Sequence, residues 1–254
     1  LIAFVDPMAE PAPPQQGAMP TPNASDLNKL TSGWGVMLRD NEVLGDAEAA
    51  LLVGGANGTP VRHLGILGFG TGQLSSSDVV TEPLETINLA TSGIFDVDDI
   101  DGITATPLIL SSDYSGSLPA MQFQFLSDPA ELQQGFSPSG QNYVAAARLS
   151  GRADTAYPDG VSGDEQVILT GTEDLEVILV ADTDLLTDRL WVQVQNFFGQ
   201  QIASAFADNG SFVENLVDNL SGSSALIDDR SRGQFSRPFV VVEKLRRDAE
   251  TQYL

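Results

Sequence analysis

The chain has 254 residues and a formal net charge of −23, from 12 basic and 35 acidic side chains, with one His and no Cys. So negative a surface repels nucleic-acid phosphates and anionic lipid headgroups, which argues against general nucleic-acid binding and electrostatic membrane docking. Without Cys the chain has no disulfide, thiolate zinc site or Cys nucleophile, and a Ser-His-Asp triad would need His63. The hydrophobic content of 42% predicts a folded protein rather than a disordered one.

The first predicted elements are a strand, a loop and a short helix. Residues 1–5 form an apolar run before an Asp-Pro turn, which is typical of a buried strand. A core strand seldom opens a native chain, so we expect the sequence to be cut from a longer protein on this side. Residues 7–22 contain six prolines and predict a loop. Ser25 is expected to cap a short helix that ends at Gly35.

The middle of the chain predicts β structure. Residues 50–53 and 61–67 are two apolar runs around a Gly-rich loop, the pattern of a hairpin, and His63 is expected to be a structural residue of its second strand. Short apolar runs, residues 121–126 among them, lie between Ser, Gly, Asp and Pro. They make residues 70–171 a β-rich, loop-heavy segment.

The last third of the chain predicts one strand and two helices. Residues 176–181 have the apolar pattern of a buried strand. An apolar-periodic helix is expected over residues 186–197, and a capping box that starts at Ser211 predicts a second helix that ends near Gly222. Strand and helices joined by short links predict an α/β fold, with a mixed, mostly parallel sheet flanked by helices.

The strongest candidate for chemistry is Asp182-Thr183-Asp184, at the end of the predicted strand 176–181. Ligands of open α/β sheets gather at such strand ends, and the two carboxylates could hold a hard cation such as magnesium or calcium. The same residues would also suit the N-terminal cap of a following helix, with no ligand at all. The sequence leaves both interpretations open.

Two other charged regions have simpler explanations. Acidic residues alternate over positions 96–101 as in a calcium loop, but the Gly and Glu of that motif are missing, so a solvated acidic loop is expected. Six of the 12 basic residues lie beyond position 229, Arg230 and Arg232 among them. This basic end could contact an acidic partner, or its arginines could pair with Asp228 and Asp229.

Several segments resemble the GldG-type family, the auxiliary components of ABC-type transport systems associated with bacterial gliding motility. The segments are residues 180–192, 208–213, 218–224, 230–232 and 237–239, together with the opening Phe4-Val5-Asp6-Pro7, residues 27–36 and residues 43–46. The resemblance implies an α/β fold like that of class I glutamine amidotransferases. It also implies a position on the periplasmic side of the inner membrane, anchored by transmembrane segments outside this sequence, with an ABC permease and ATPase as partners.

Residues and resemblance together predict a non-enzymatic accessory domain that binds a partner protein or the transported substrate. The domain is expected to cover residues 1–239, and residues 240–254 are expected to begin a helix that leads out of it. No cofactor or catalytic set is expected. The alternative is a divalent-metal-dependent hydrolase of the cell envelope that uses Asp182 and Asp184. The candidate binding residues are Asp182, Thr183, Asp184, Asn209, Arg230 and Arg232.

Overall fold

The computed structural model describes residues 1–9, 24–56, 58–158, 170–197 and 200–222. The strands are β1 (Ile2–Phe4), β2 (Val36–Leu38), β3 (Glu42–Asp46), β4 (Ala50–Gly54), β5 (Pro60–Gly70), β6 (Thr86–Ala90), β7 (Phe95–Val97), β8 (Ile103–Leu110), β9 (Ser115–Pro119), β10 (Val144–Asp154), β11 (Gly171–Val180), β12 (Val192–Phe197) and β13 (Gln200–Ala205). The helices are α1 (Asn28–Thr31), α2 (Ala120–Gln124), α3 (Asp188–Trp191) and α4 (Asn209–Leu220), with 3₁₀ segments at Ser32–Trp34 and Pro129–Gln133.

The main sheet is built around β10 and β11. Its order is β1-β11-β10-β7-β2, and β8 also pairs with β10. Strands β1 and β11 run parallel, whereas the other pairings among the described strands are antiparallel. The α/β class with a mixed sheet is therefore confirmed. The sheet is less parallel than expected, because only β1 and β11 pair in parallel and few helices connect its strands.

Both faces of the main sheet are buried, and β11 shows how. Its alternate side chains Ile178 and Val180 pack into one core with α4 and the β4-β5-β6 sheet. Between them, Val177 and Leu179 point to the opposite side and pack into a second core that includes Trp34. A strand covered on both faces reads as a continuous apolar run, which is why the sequence identified this strand so clearly.

Several predicted elements are confirmed and two are wrong. The first strand, the β4-β5 hairpin and the C-terminal helix α4 all form. Residues 121–126, one of the apolar runs on which the β-rich segment was predicted, belong mainly to helix α2. The helix expected over residues 186–197 is reduced to α3, and the chain continues as β12. Its Val-Gln-Val-Gln alternation has the two-residue period of a strand, and pairing with β13 decides the conformation.

The predicted helix caps are partly wrong. Ser25 does not cap α1, because its Oγ accepts the backbone N–H of Asp6 at 3.0 Å. Helix α4 begins at Asn209, so Ser211 lies inside its first turn rather than at the cap. The glycines at the helix ends are confirmed: Gly35 and Gly222 have φ values of 77° and 85°, in the left-handed region that favours glycine.

Some predictions lie outside the described residues. These are most of the proline-rich loop, the two arginines Arg230 and Arg232, and the helix at residues 240–254. The extent of the domain therefore stays a prediction. Among the residues that the structure describes, no helix has both the length and the apolar character needed to cross a bilayer.

Candidate functional site

Parallel pairing of β1 with β11 brings three carboxylates together. The register places Phe4 beside Val180, so Asp6 and Asp182 each follow their strand by two residues at the same edge of the sheet. Asp184 lies in the turn after β11. One carboxylate oxygen from each of the three residues lies within 4.8 Å of the other two. We call Asp6, Asp182 and Asp184 the carboxylate cluster.

The cluster is held by backbone donors from three parts of the chain. Asp6 accepts the N–H of Met8 at 2.7 Å, and its other oxygen accepts both the N–H and the hydroxyl of Thr183 at 3.1 Å. Asp182 accepts the N–H of Ala90 at 2.7 Å, and its other oxygen accepts the N–H of Asp184 at 2.6 Å. These bonds tie the ends of β1, β6 and β11 to one another.

Burial makes the charged form of this cluster costly. Asp6 and Asp182 are completely buried, and Asp184 is half-buried. Burial, with a smaller contribution from Asp184, raises the pKa of Asp6 to about 6. Burial and then the charge of Asp6 raise the pKa of Asp182 well above its ordinary value, and burial raises that of Asp184. Three neighbouring carboxyl groups in such a place need protons, or a cation, to offset their mutual repulsion.

A strained residue lies beside the cluster. Thr91 has a φ of 51°, a left-handed conformation that is rare for a β-branched side chain. It directly follows Ala90, the residue that donates its N–H to Asp182, and its own N–H donates to the carbonyl of Gly65. Its hydroxyl donates to the carbonyl of Ala90 at 2.7 Å. Backbone strain of this kind is kept only where surrounding contacts hold it, and here those contacts include the cluster.

The raised pKa values predict a pH dependence opposite to that of a salt-bridged acid. A group that holds its proton more tightly when folded stabilises the protein at low pH and loses that contribution as pH rises. For Asp6 the window runs from 3.8, its ordinary value, to about 6. The shift corresponds to about 3 kcal/mol at about 1.4 kcal/mol per pKa unit. We therefore expect the metal-free chain to melt at a higher temperature at pH 5 than at pH 8.

The test compares wild type with two Asp→Asn variants. Asp6→Asn should flatten the melting temperature against pH between these limits, because it removes one titrating group of the cluster. Asp99→Asn removes the same charge from an exposed position in the acidic loop and should leave the slope as in wild type. Equal slopes in all three proteins would show that the cluster is already ionised across this range.

The structure places the predicted site residues in different roles. Asp182, Thr183 and Asp184 do come together, but no helix begins at this turn, so their assignment as a helix cap is wrong. Asn209 is not part of the cluster. It is fully buried at the start of α4, where its side chain bonds the backbone of Asn88 and the carbonyl of Leu185.

Sequence reasoning missed Asp6 as a member of the site. Its Asp6-Pro7 pair indicated only a turn, and nothing local points to a partner more than 170 residues away. The available signal was a shared offset: Asp6 and Asp182 each lie just past a short apolar run that reads as a strand. Pairing those two runs in parallel would have placed both carboxylates at one edge.

The single His has a structural place, as expected. His63 lies on β5, is 8% exposed, and its Nδ1 accepts the N–H of Gly65 at 3.2 Å. Its ring lies 6.1 Å from that of Phe123, and burial lowers its pKa. His63 is therefore part of the packed fold and is not a member of the carboxylate cluster.

Comparison with known proteins gives one finding. No curated protein and no solved structure shows a significant match to this chain. One protein family, described as an ABC-type uncharacterized transport system, has a sequence model that matches residues 1–216. The match includes β1, β11 and the three residues of the carboxylate cluster. The chain therefore belongs to this family of auxiliary components of ABC-type transport systems.

Proposed function

We propose that this chain is a non-enzymatic accessory domain that works outside the membrane, on the periplasmic side, as part of a GldG-type transport system of the gliding-motility kind. In this proposal it binds a partner protein, or the transported substrate, next to an ABC permease and ATPase. The observation that carries the proposal is the family match over residues 1–216. Anchoring would come from membrane segments outside this sequence.

The use of the polar residues in the fold supports a non-enzymatic role. The buried carboxylates of Asp6 and Asp182 accept hydrogen bonds from the chain's own backbone, and they join strands that are distant in sequence. Asn209 likewise bonds two backbone segments. Asp182 and Asn209, two of the predicted binding residues, therefore contribute hydrogen bonds to the fold, and in this proposal the partner is recognised by the surface of the domain.

Co-purification from native membranes tests this proposal. A tagged full-length protein, expressed from its own locus, should recover an ABC permease and an ATPase in constant ratio. An untagged strain and an equally abundant tagged periplasmic protein serve as controls. Recovery of neither subunit, together with a turnover activity that Asp184→Ala abolishes, would replace the accessory role with an enzymatic one.

A divalent-metal-dependent hydrolase is the second candidate, and the carboxylate cluster favours it. Three carboxylate oxygens within 4.8 Å of one another match the oxygen donors that magnesium, manganese and calcium prefer. Such a cation would be bound by Asp6 and Asp184 as well as Asp182, and it would act by lowering the pKa of a bound water. Thr91, beside the cluster, has a strained backbone, and strain of this kind is common near catalytic sites.

A thermal shift with each cation separates the two candidates. If the cluster binds a cation, a concentration about 100-fold above Kd stabilises the fold by about 2.7 kcal/mol and raises the melting temperature by several degrees. Asp184→Asn should then lose that shift, while Asp99→Asn, in the exposed acidic loop, should keep it. The accessory proposal expects the same small shift, or none, in all three proteins.

A further inference from the structure

The hairpin of β12 and β13 lies apart from the packed sheets. Among the described strands these two pair only with each other. Val194 lies opposite Ala203 and is 49% exposed, whereas Ile202 lies opposite Gln195 and is 38% exposed. Neighbouring positions of a strand point to opposite faces, so Val194 and Ile202 expose an apolar side chain to water on opposite faces of the hairpin. A two-stranded ribbon in this state is marginally stable without further strands.

The hairpin also lacks the charges that normally protect a sheet edge. Residues 190–207 contain no Asp, Glu, Lys or Arg, the longest such run in a chain of net charge −23. The described side chains of β13, which are residues 202–205, are all exposed. Exposed edge strands usually carry a Lys, a Pro or a bulge that prevents pairing with another chain. The sequence of residues 192–205 contains neither Lys nor Pro, and the described pairing of β12 with β13 has no bulge.

Other strand pairs of the same protein do carry such protection. The exposed end of the β4-β5 hairpin has Pro60 and Arg62. The solvent end of the β10-β11 pair has Arg152, Asp154 and Glu173, all well exposed, and a bulge near Gly151. The β12-β13 hairpin differs from these two strand pairs, and among the described strands its edges have no further partner.

We propose that β13 pairs antiparallel with β13 of a second copy of this chain, which joins the two hairpins into one four-stranded sheet. Two-fold antiparallel pairing sets β13 against the same strand of the second copy, so a charged residue near the symmetry axis would lie close to its own copy and weaken the contact. A strand without charge has no such penalty. Elsewhere the strongly acidic surface repels a second copy, and a basic partner would be drawn to that acidic surface rather than to this hairpin.

Disulfide crosslinking tests the geometry directly, because the full chain contains no Cys of its own. Single variants Ala203→Cys and Ser204→Cys place a thiol on β13. Val194→Cys and Gln193→Cys place one directly opposite them on β12, as matched controls in the same hairpin. Mild oxidation should give covalent dimers from the β13 variants and far fewer from the β12 variants. Equal crosslinking of both strands, or none, would overturn the pairing.

Added charge and salt test the energetics. Sedimentation from micromolar to near-millimolar concentration should show a weak dimer that tightens as salt rises, because salt screens the repulsion between acidic surfaces. Ser204→Lys should weaken the dimer about tenfold, since it brings two like charges into the new strand pair, whereas Gln193→Lys, on the strand away from that pair, should change it by about twofold. Circular dichroism confirms that both variants fold. The proposal is contradicted if the chain stays monomeric at every concentration, or if Ser204→Lys leaves the dissociation constant of the dimer unchanged.

Discussion

Replacement of Asn209 by alanine is expected to destabilise the domain by about 3 to 5 kcal/mol, because buried groups lose their partners. Its Oδ1 accepts the N–H of Asn88 at 3.0 Å. Its Nδ2 donates to the carbonyl oxygens of Asn88 and Leu185, both at 2.6 Å. The side chain is fully buried, so water cannot replace it. Removing it leaves one donor and two acceptors unsatisfied where β6 and the turn after β11 meet the start of α4.

Asn215 provides the matched control for this prediction. It lies on the same helix, is 4% exposed, and donates to the carbonyl of Val80 at 3.0 Å. Asn215→Ala removes the same atoms and is expected to cost about 1 to 2 kcal/mol. Urea denaturation of both variants gives the comparison. If Asn209→Ala costs no more than Asn215→Ala, the hydrogen bonds of Asn209 do not hold α4 to the sheet.

Breaking the ion pair between Arg148 and Asp78 is expected to have a similarly large effect. Arg148 donates from Nε at 2.7 Å and from Nη2 at 3.0 Å to the two carboxylate oxygens of Asp78. The side chains are 15% and 8% exposed, so the charges are largely removed from water. Arg148→Met leaves a buried carboxylate without its cation, and we expect a loss of about 3 to 5 kcal/mol in unfolding free energy.

A second arginine on the same strand gives the control. Arg152 is 65% exposed and reaches Asp154 and Glu173 at 3.6 and 3.4 Å. Arg152→Met is expected to cost less than about 1 kcal/mol, because water screens exposed pairs. The double variant Arg148→Met with Asp78→Asn should recover part of the loss, since it removes both charges. If Arg148→Met and Arg152→Met destabilise the protein equally, the burial of the Arg148–Asp78 pair does not increase its contribution to stability.

The elements that were predicted correctly are those whose conformation follows from their own pattern of apolar residues. Strand β11 has an apolar run that burial on two faces requires, and α4 has apolar residues at helical spacing. Prediction failed where distant pairing decides the conformation. Residues 192–197 carry apolar side chains compatible with either a helix or a strand, and β13 makes them a strand. The cap at Ser25 failed because its Oγ accepts the N–H of the distant Asp6, and the boundary at Ser211 failed because α4 begins two residues earlier, at Asn209.

The candidate site was predicted in part for the same reason. Asp182 and Asp184 were identified because they follow a clear strand, and local chemistry suggested both a cation site and a helix cap. The helix cap is wrong because no helix begins at this turn, and Asp6 joins the two carboxylates only through the parallel pairing of β1 with β11. The buried role of Asn209 was hidden because its partners, Asn88 and Leu185, lie in other parts of the chain.

Direct binding to the purified transport system tests the central claim most closely. The ABC permease and ATPase of the same system, purified as a complex, are titrated with this chain in its full length, and an unrelated ABC transporter complex serves as the control. An accessory domain predicts saturable binding with a Kd in the micromolar range or tighter to its own system alone. Equal binding to both complexes, or none to either, would contradict the assignment of this chain as an accessory component that acts by contacting the transporter.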